Sequence, residues 1–144
     1  MEKIAIGSDH GGLNLKKSIK SYLESKGYEV QDFGTHTSES CDYPVYAKAV
    51  AKSVAKGDND KGILVCGSGI GVSIAANKVK GIRAALCHES CSAKLSRMHN
   101  NANVLCLGER ITGEVLAYDI VDAWLNTKFE SGRHQKRIDM LDEV

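Results

Sequence analysis

The sequence predicts an α/β fold in three layers, α/β/α, with a parallel sheet covered by helices on both faces. Three observations carry this. Short apolar runs alternate with amphipathic segments along the chain. The run at 62–66, Gly-Ile-Leu-Val-Cys, is apolar throughout, as a strand buried on both faces must be. No linker, repeat or low-complexity stretch interrupts the alternation.

Taken in order, residues 3–7 read as a first strand, ended by Ser8-Asp9-His10-Gly11-Gly12. Leu15, Ile19, Tyr22 and Leu23 recur at i, i+4, i+7 and i+8, one face of a helix that Gly27 is placed to end. Residues 28–33 form a second strand. Tyr46, Ala47, Val50 and Val54 line a second helix. Pro44, the only proline, sits in its first turn, where a missing N–H does no harm. The third strand at 62–66 is followed by a short Ala-rich helix at 70–79. A fourth strand (83–87), a fourth helix (90–98) and a fifth strand (104–107) follow. Residues 112–125 form a helix with Leu116, Ile120 and Trp124 on one stripe. A last helix starts near 134 and ends between 141 and 143.

At 144 residues the length fits one domain, 1–144, and 42% hydrophobic content is ample for a core. Nineteen basic residues stand against 18 acidic ones, a net charge of +1. That balance gives no electrostatic reason to propose nucleic acid or a membrane surface as partner. No apolar stretch approaches a membrane span or a secretion signal, so a cytoplasmic location is expected. Cys41, Cys66, Cys87, Cys91 and Cys106 are then expected to be free thiols.

In such sheets ligands bind beyond the C-terminal strand ends. The strongest signal there is Cys66-Gly67-Ser68-Gly69-Ile70-Gly71-Val72-Ser73, which follows a buried strand and opens a helix. Alternating glycines let several N–H groups turn toward one point, and the helix N-terminus adds partial positive charge. Such a loop holds a phosphate, a carboxylate or a developing enediolate; the plainer alternative is a tight turn whose glycines serve packing. A thiol beside a helix N-terminus ionises more readily than a free one, which makes Cys66 a candidate base or nucleophile. Taken alone, a strand-end cysteine can equally be a small buried hydrophobe. Asp9-His10 follows the first strand and His99-Asn100 precedes the fifth. An imidazole that titrates near neutral pH suits the proton shift that opens a sugar hemiacetal. Arg133 and Arg137, at i and i+4, put two guanidinium groups on one helix face, as a phosphate dianion requires; a solvated helix face is the alternative. Cys87-His88 with Cys91 lacks the second pair that completes a zinc site, so no metal is expected.

With these residues assembled, the chain resembles the ribose-5-phosphate isomerase B family, which includes allose-6-phosphate and galactose-6-phosphate isomerases. The resemblance rests on Gly7-Ser8-Asp9-His10-Gly11-Gly12, Asp42-Tyr43-Pro44 and Cys66-Gly67-Ser68-Gly69-Ile70-Gly71. It continues through Ser73 to Lys78, Gly81-Ile82-Arg83-Ala84, Ser96-Arg97-Met98-His99-Asn100 and Gly132-Arg133-His134.

The resemblance implies a Rossmann-like fold with five parallel strands. It also implies a homodimer, or a dimer of dimers, with active sites at the subunit boundary, and no metal or organic cofactor. By position, Cys66 would move the proton between C1 and C2 of a sugar phosphate, with Ser68 beside it. Amides of Gly67, Gly69, Ile70, Gly71 and Val72 would hold the enediolate oxygen. His99 would open the ring with Asp9 and Tyr43. His10, Arg110, Arg133 and Arg137 would bind the phosphate, some from the partner subunit, and Asn100 would join the substrate contacts. One branch of the family uses a glutamate in the glycine loop; Val72 stands there here, which leaves Cys66. The galactose-6-phosphate branch works as two incomplete chains, whereas this chain carries the full set.

Two rival readings remain at this level. One is a six-carbon substrate such as allose 6-phosphate. The other is a non-catalytic dinucleotide-binding domain, with Glu89 about twenty residues past the loop. Against the second, Val72 replaces the third glycine of that fingerprint, and the loop follows the third strand rather than the first.

Overall fold

The computed structural model describes residues 2–143; positions 1 and 144 of the expected 1–144 unit lie outside it. Strand β1 (Lys3–Ser8) runs through a 3-10 turn at His10–Gly12 into α1 (Leu13–Ser25). There follow β2 (Glu29–Asp32), α2 (Tyr43–Ala55), β3 (Lys61–Cys66), α3 (Ile70–Asn77), β4 (Ala84–Leu86) and α4 (Ser90–Asn100). The chain closes with β5 (Val104–Gly108), α5 (Glu114–Leu125), α6 (Arg133–Asp139) and a 3-10 turn at Leu141–Glu143. The strands lie in the order β2-β1-β3-β5-β4, and every neighbouring pair is parallel.

Successive residues of a strand face opposite ways, and this parity divides the core in two. Ile63 and Val65 of β3 join Ile19, Leu105, Ile120 and Trp124 on the side of α1, α4 and α5. Leu64 and Cys66 point to the other side, among Val50, Val72 and Ala76 of α2 and α3. These are the three predicted layers. Among the described residues no helix is long and apolar enough to cross a membrane.

Both edge strands are shorter than their apolar runs. β2 covers Glu29–Asp32 of the expected 28–33, and β4 covers Ala84–Leu86 of the expected 83–87. Each pairs with a single neighbour, and backbone hydrogen bonds run on past its ends: Phe33 N–H donates to Ile6 O at 2.9 Å and Cys87 N–H to Cys106 O at 3.3 Å. The Arg83 side chain meanwhile donates through Nε to Asn100 O at 3.0 Å and Asn101 O at 3.1 Å. On α5 the buried stripe is Ala117, Ile120, Val121 and Trp124; Leu116, expected on it, is exposed. α6 starts at Arg133, and its predicted tail tightens into the 3-10 turn.

One buried charge holds the site's rim. The Lys16 ammonium is shielded from solvent and donates to Asp32 at 2.9 Å and to the Thr35 carbonyl. A desolvated ammonium is tolerable only when paired and hydrogen-bonded in this way. It ties α1 to the end of β2 and to the loop that leads to α2.

Candidate active site

The topology singles out one crevice. After β1 the chain crosses to the α1 face of the sheet; after β3 it crosses to the α3 face. β1 and β3 are adjacent, with Ser8 beside Val65 in the ladder. Asp9 and Cys66 therefore emerge side by side where the connections diverge, the place such sheets bind ligands. A cleft of about 410 Å³ opens there. The turn after β1 contributes Asp9, His10 and Gly11, α2 contributes Tyr43, and the end of β3 with the loop into α3 contributes Cys66, Gly67, Ser68 and Gly71. Arg110 and Ile111 complete it from the loop after β5.

The glycine loop is set by backbone contacts. Gly69 has φ +80°, a left-handed conformation, and a Cβ there would lie 2.8 Å from the Leu107 carbonyl carbon. This lets the loop press onto β5. The Gly69 N–H donates to Cys66 Sγ at 3.1 Å, and the Ile70 N–H donates to Ser68 Oγ at 3.2 Å. The Gly71 N–H, on the cleft wall, has no acceptor among the described residues. Oriented donors at a helix start stabilise negative charge in the space before them. A Cβ at Gly71 would lie 2.7 Å from the Tyr43 ring, so Tyr43 closes over the loop.

Of the five cysteines, only Cys66 lines the cleft, at 5% exposure. Burial pushes the Cys87 and Cys106 thiols up, which unsuits them as bases. Cys91 is exposed on α4, and Cys41 lies on the rim, its Sγ 3.9 Å from His10 Nδ1. The Cys41 N–H donates to His10 Nδ1 at 3.2 Å, which leaves Nε2 to carry the ring proton of a neutral His10. Asp9 Oδ1 accepts from the Gly12 N–H at 3.1 Å, which fixes that carboxylate.

Past the strand ends, Glu109 N–H donates to Cys66 O at 2.9 Å and Arg110 N–H to Gly67 O at 3.0 Å. The two loops are thus continuous with the sheet. The Glu109 carboxylate accepts from the Leu15 N–H at 2.7 Å and so caps α1.

The remaining predicted residues form a second group. None of His99, Asn100, Arg133 and Arg137 lines the cleft. His99 and Asn100 end α4, where Asn101 takes a left-handed φ of +46° as the cap. Arg97 locks that end, donating to Ala102 O at 2.6 Å and Asn101 Oδ1 at 2.9 Å, and burial pulls its guanidinium pKa down. The Glu130 N–H donates to Met98 O at 3.1 Å, which lays the approach to α6 against α4. His99 and His134 stack with ring centroids 4.5 Å apart. Arg133 and Arg137 are exposed on α6. Glu130 and Ile111 carried no role in the sequence reading. Only the i,i+4 spacing of Glu130 and His134 hinted at the first, and no pattern marked the second.

The family described as Ribose/Galactose Isomerase matches residues 4–141. The chain belongs to this family. Ribose-5-phosphate isomerase B of Escherichia coli is 54% identical over 144 residues, covering 100% of this chain and 97% of that protein. D-erythrulose-4-phosphate isomerase of Pectobacterium atrosepticum is 44% identical over 142 residues, covering 98% and 93%. The structure of ribose-5-phosphate isomerase B from Clostridium thermocellum aligns with a TM-score of 0.97 at 57% identity, covering 98% of this chain and 95% of that one. Likeness to ribose/galactose isomerases thus extends end to end, over the crevice and the α4–α6 corner alike. A non-catalytic dinucleotide-binding domain is accordingly set aside.

Proposed function

We propose that this protein is an aldose–ketose isomerase that interconverts ribose 5-phosphate and ribulose 5-phosphate, with Cys66 as the base. The observation that carries the reading is Cys66 itself, the one cysteine on the cleft, its sulfur accepting the Gly69 N–H at the head of the glycine loop. In the proposed cycle His99, with Asp9 and Tyr43, moves a proton from the hydroxyl to the ring oxygen and opens the furanose. Cys66 thiolate takes the C2 proton, and the electron pair moves onto the C1 oxygen as an enediolate. Amides of the 67–72 loop hold that charge, a stabilisation effective because the donors are oriented in advance. A proton passes from the C2 hydroxyl to the C1 oxygen, the Cys66 thiol returns its proton to C1, and the ketone forms at C2. Ser68 lies beside the thiol, and His10, Arg110, Arg133 and Arg137 hold the phosphate with Asn100 nearby. This scheme needs no metal or organic cofactor.

His99 and the α6 arginines lie off the cleft of their own chain, which supports a homodimer whose partner brings its α4–α6 corner over this crevice. We place the enzyme in the cytosol, where free thiols persist.

Steady-state kinetics on ribose 5-phosphate, allose 6-phosphate and a four-carbon aldose phosphate test the reading. The highest kcat/KM is expected for ribose 5-phosphate. A higher value for allose 6-phosphate overturns the substrate, and no turnover of any of the three overturns the activity.

A further inference from the structure

Outside the crevice, the α4–α6 corner brings two imidazoles and a carboxylate together. His99 lies in the last turn of α4, Glu130 just before α6 and His134 in the first turn of α6. Glu130 Oε1 lies 3.5 Å from His134 Nε2 and 3.8 Å from His99 Nε2. The three ligand atoms all fall within 4.8 Å of one another. A tetrahedral ion with bonds of about 2.0–2.1 Å needs donors about 3.3 Å apart, and because the two rings are stacked, binding turns one imidazole out of the stack so that both nitrogens point at the ion. The backbone already holds the three elements together. The Glu130 N–H donates to Met98 O at 3.1 Å, and the His134 N–H donates to Ser131 O at 3.1 Å. Two histidines and one carboxylate, partly open to solvent, are the donor set of an open zinc site. Among the described residues it is the one such cluster; Cys87, His88 and Cys91 do not form one.

We propose that His99, Glu130 and His134 bind one divalent transition-metal ion, zinc foremost, with the remaining position open to water. The site is inhibitory, because the ion occupies the His99 nitrogen and no step of the isomerisation uses the metal. That consequence rests on His99 as the ring-opening residue; the binding itself does not.

Full-length protein, freed of metal with a chelator, is titrated with cobalt(II) and with zinc against a chromophoric chelator. One cobalt per chain is expected, with weak visible bands and no intense near-ultraviolet thiolate band. Glu130→Gln and His134→Gln should each weaken zinc binding by about tenfold or more, since even loss of an outer partner costs that much. Glu130 is 46% exposed, so its variant should fold normally. Zinc should inhibit the parent on ring-closed substrate and spare Glu130→Gln, which keeps its metal-free rate. A thiolate band, unchanged affinity in both variants or the absence of saturable binding overturns the site. Binding that the variants weaken, with turnover untouched at saturation, supports the site and instead removes His99 from ring opening.

Discussion

The crevice around Cys66 rests on strand ends, whereas the corner around His99 rests on helix ends. In the crevice, main chain meets main chain: the loops after β3 and β5 hydrogen-bond to each other, and Gly69 lies against β5. In the corner a single main-chain bond, Glu130 N–H to Met98 O, joins the approach to α6 to α4, and the Arg97 side chain and a histidine stack do the rest. Cys66 is 5% exposed, while the side chains of His99 and Glu130 are 42% and 46% exposed. Proton transfer at carbon needs positions held to fractions of an ångström, and backbone supplies that. A phosphate or a ring oxygen can be met by longer side chains that adjust on contact.

Four measurements break or sharpen this contrast. Cys66→Ala should lower kcat by about 10²–10⁴-fold on every substrate, with ribose 5-phosphate binding nearly intact by calorimetry. Normal kcat in that variant would place the base elsewhere. His99→Asn should cost about 10²-fold on ring-closed ribose 5-phosphate. It should do far less to a four-carbon aldose phosphate, whose phosphorylated oxygen cannot close a furanose. Equal losses on both substrates exclude the ring-opening role.

Gly69→Ala should destabilise the fold by about 1–3 kcal/mol, read from urea unfolding, because alanine resists a φ of +80° and meets the Leu107 backbone. Gly71→Ala should unfold nearly as the parent does, since the Tyr43 ring it meets is 39% exposed and can swing aside. Similar losses in the two variants would erase the distinction between backbone and side-chain fit. Arg133→Ala and Arg137→Ala should each raise KM by about tenfold with little change in kcat, because contacts to a remote phosphate bind substrate and transition state alike. Unchanged KM in both makes the α6 arginines a solvated face.

The same contrast explains what could be read from sequence. β3 and the glycine loop were legible because a strand buried on both faces cannot hide among polar residues. The edge strands β2 and β4 end within a residue of their expected C-terminal bounds, and Phe33 and Cys87 still bond to the neighbouring strand beyond those ends. Leu116 was placed inside α5 because Leu116, Ile120 and Trp124 keep helical spacing, yet the true stripe runs through the smaller Ala117. Around Cys66, most candidates followed strand ends directly, so topology alone gathered Asp9, His10, Gly67, Ser68 and Arg110 into one cleft. His99 was expected to converge with Asp9, His10 and Cys66 on one sheet edge, and resemblance joined Asn100, Arg133 and Arg137 to them; none of the four lines that cleft, since α4 leads into the start of β5 and not away from its end. Their separation in the monomer was invisible in one dimension, as was Glu130 beside two histidines. Lys16 drew no attention either, because only folding shows that its partner is Asp32.

The way the glycine loop is sealed onto β5 also bears on how such an enzyme can change its diet. Gly69 lies directly against the Leu107 backbone, with Leu86 beside it, so no substitution there re-aims the proposed base by degrees. The rim is different: His10 leans on Cys41, while Arg110 and Ile111 are exposed side chains on a loop after β5. A directed-evolution library meant to accept a longer or shorter sugar phosphate should diversify Cys41 and Ile111, keep Arg110 for the phosphate and leave 66–71 alone. New specificity is then gained at the mouth, with the proposed proton-transfer apparatus inherited unchanged.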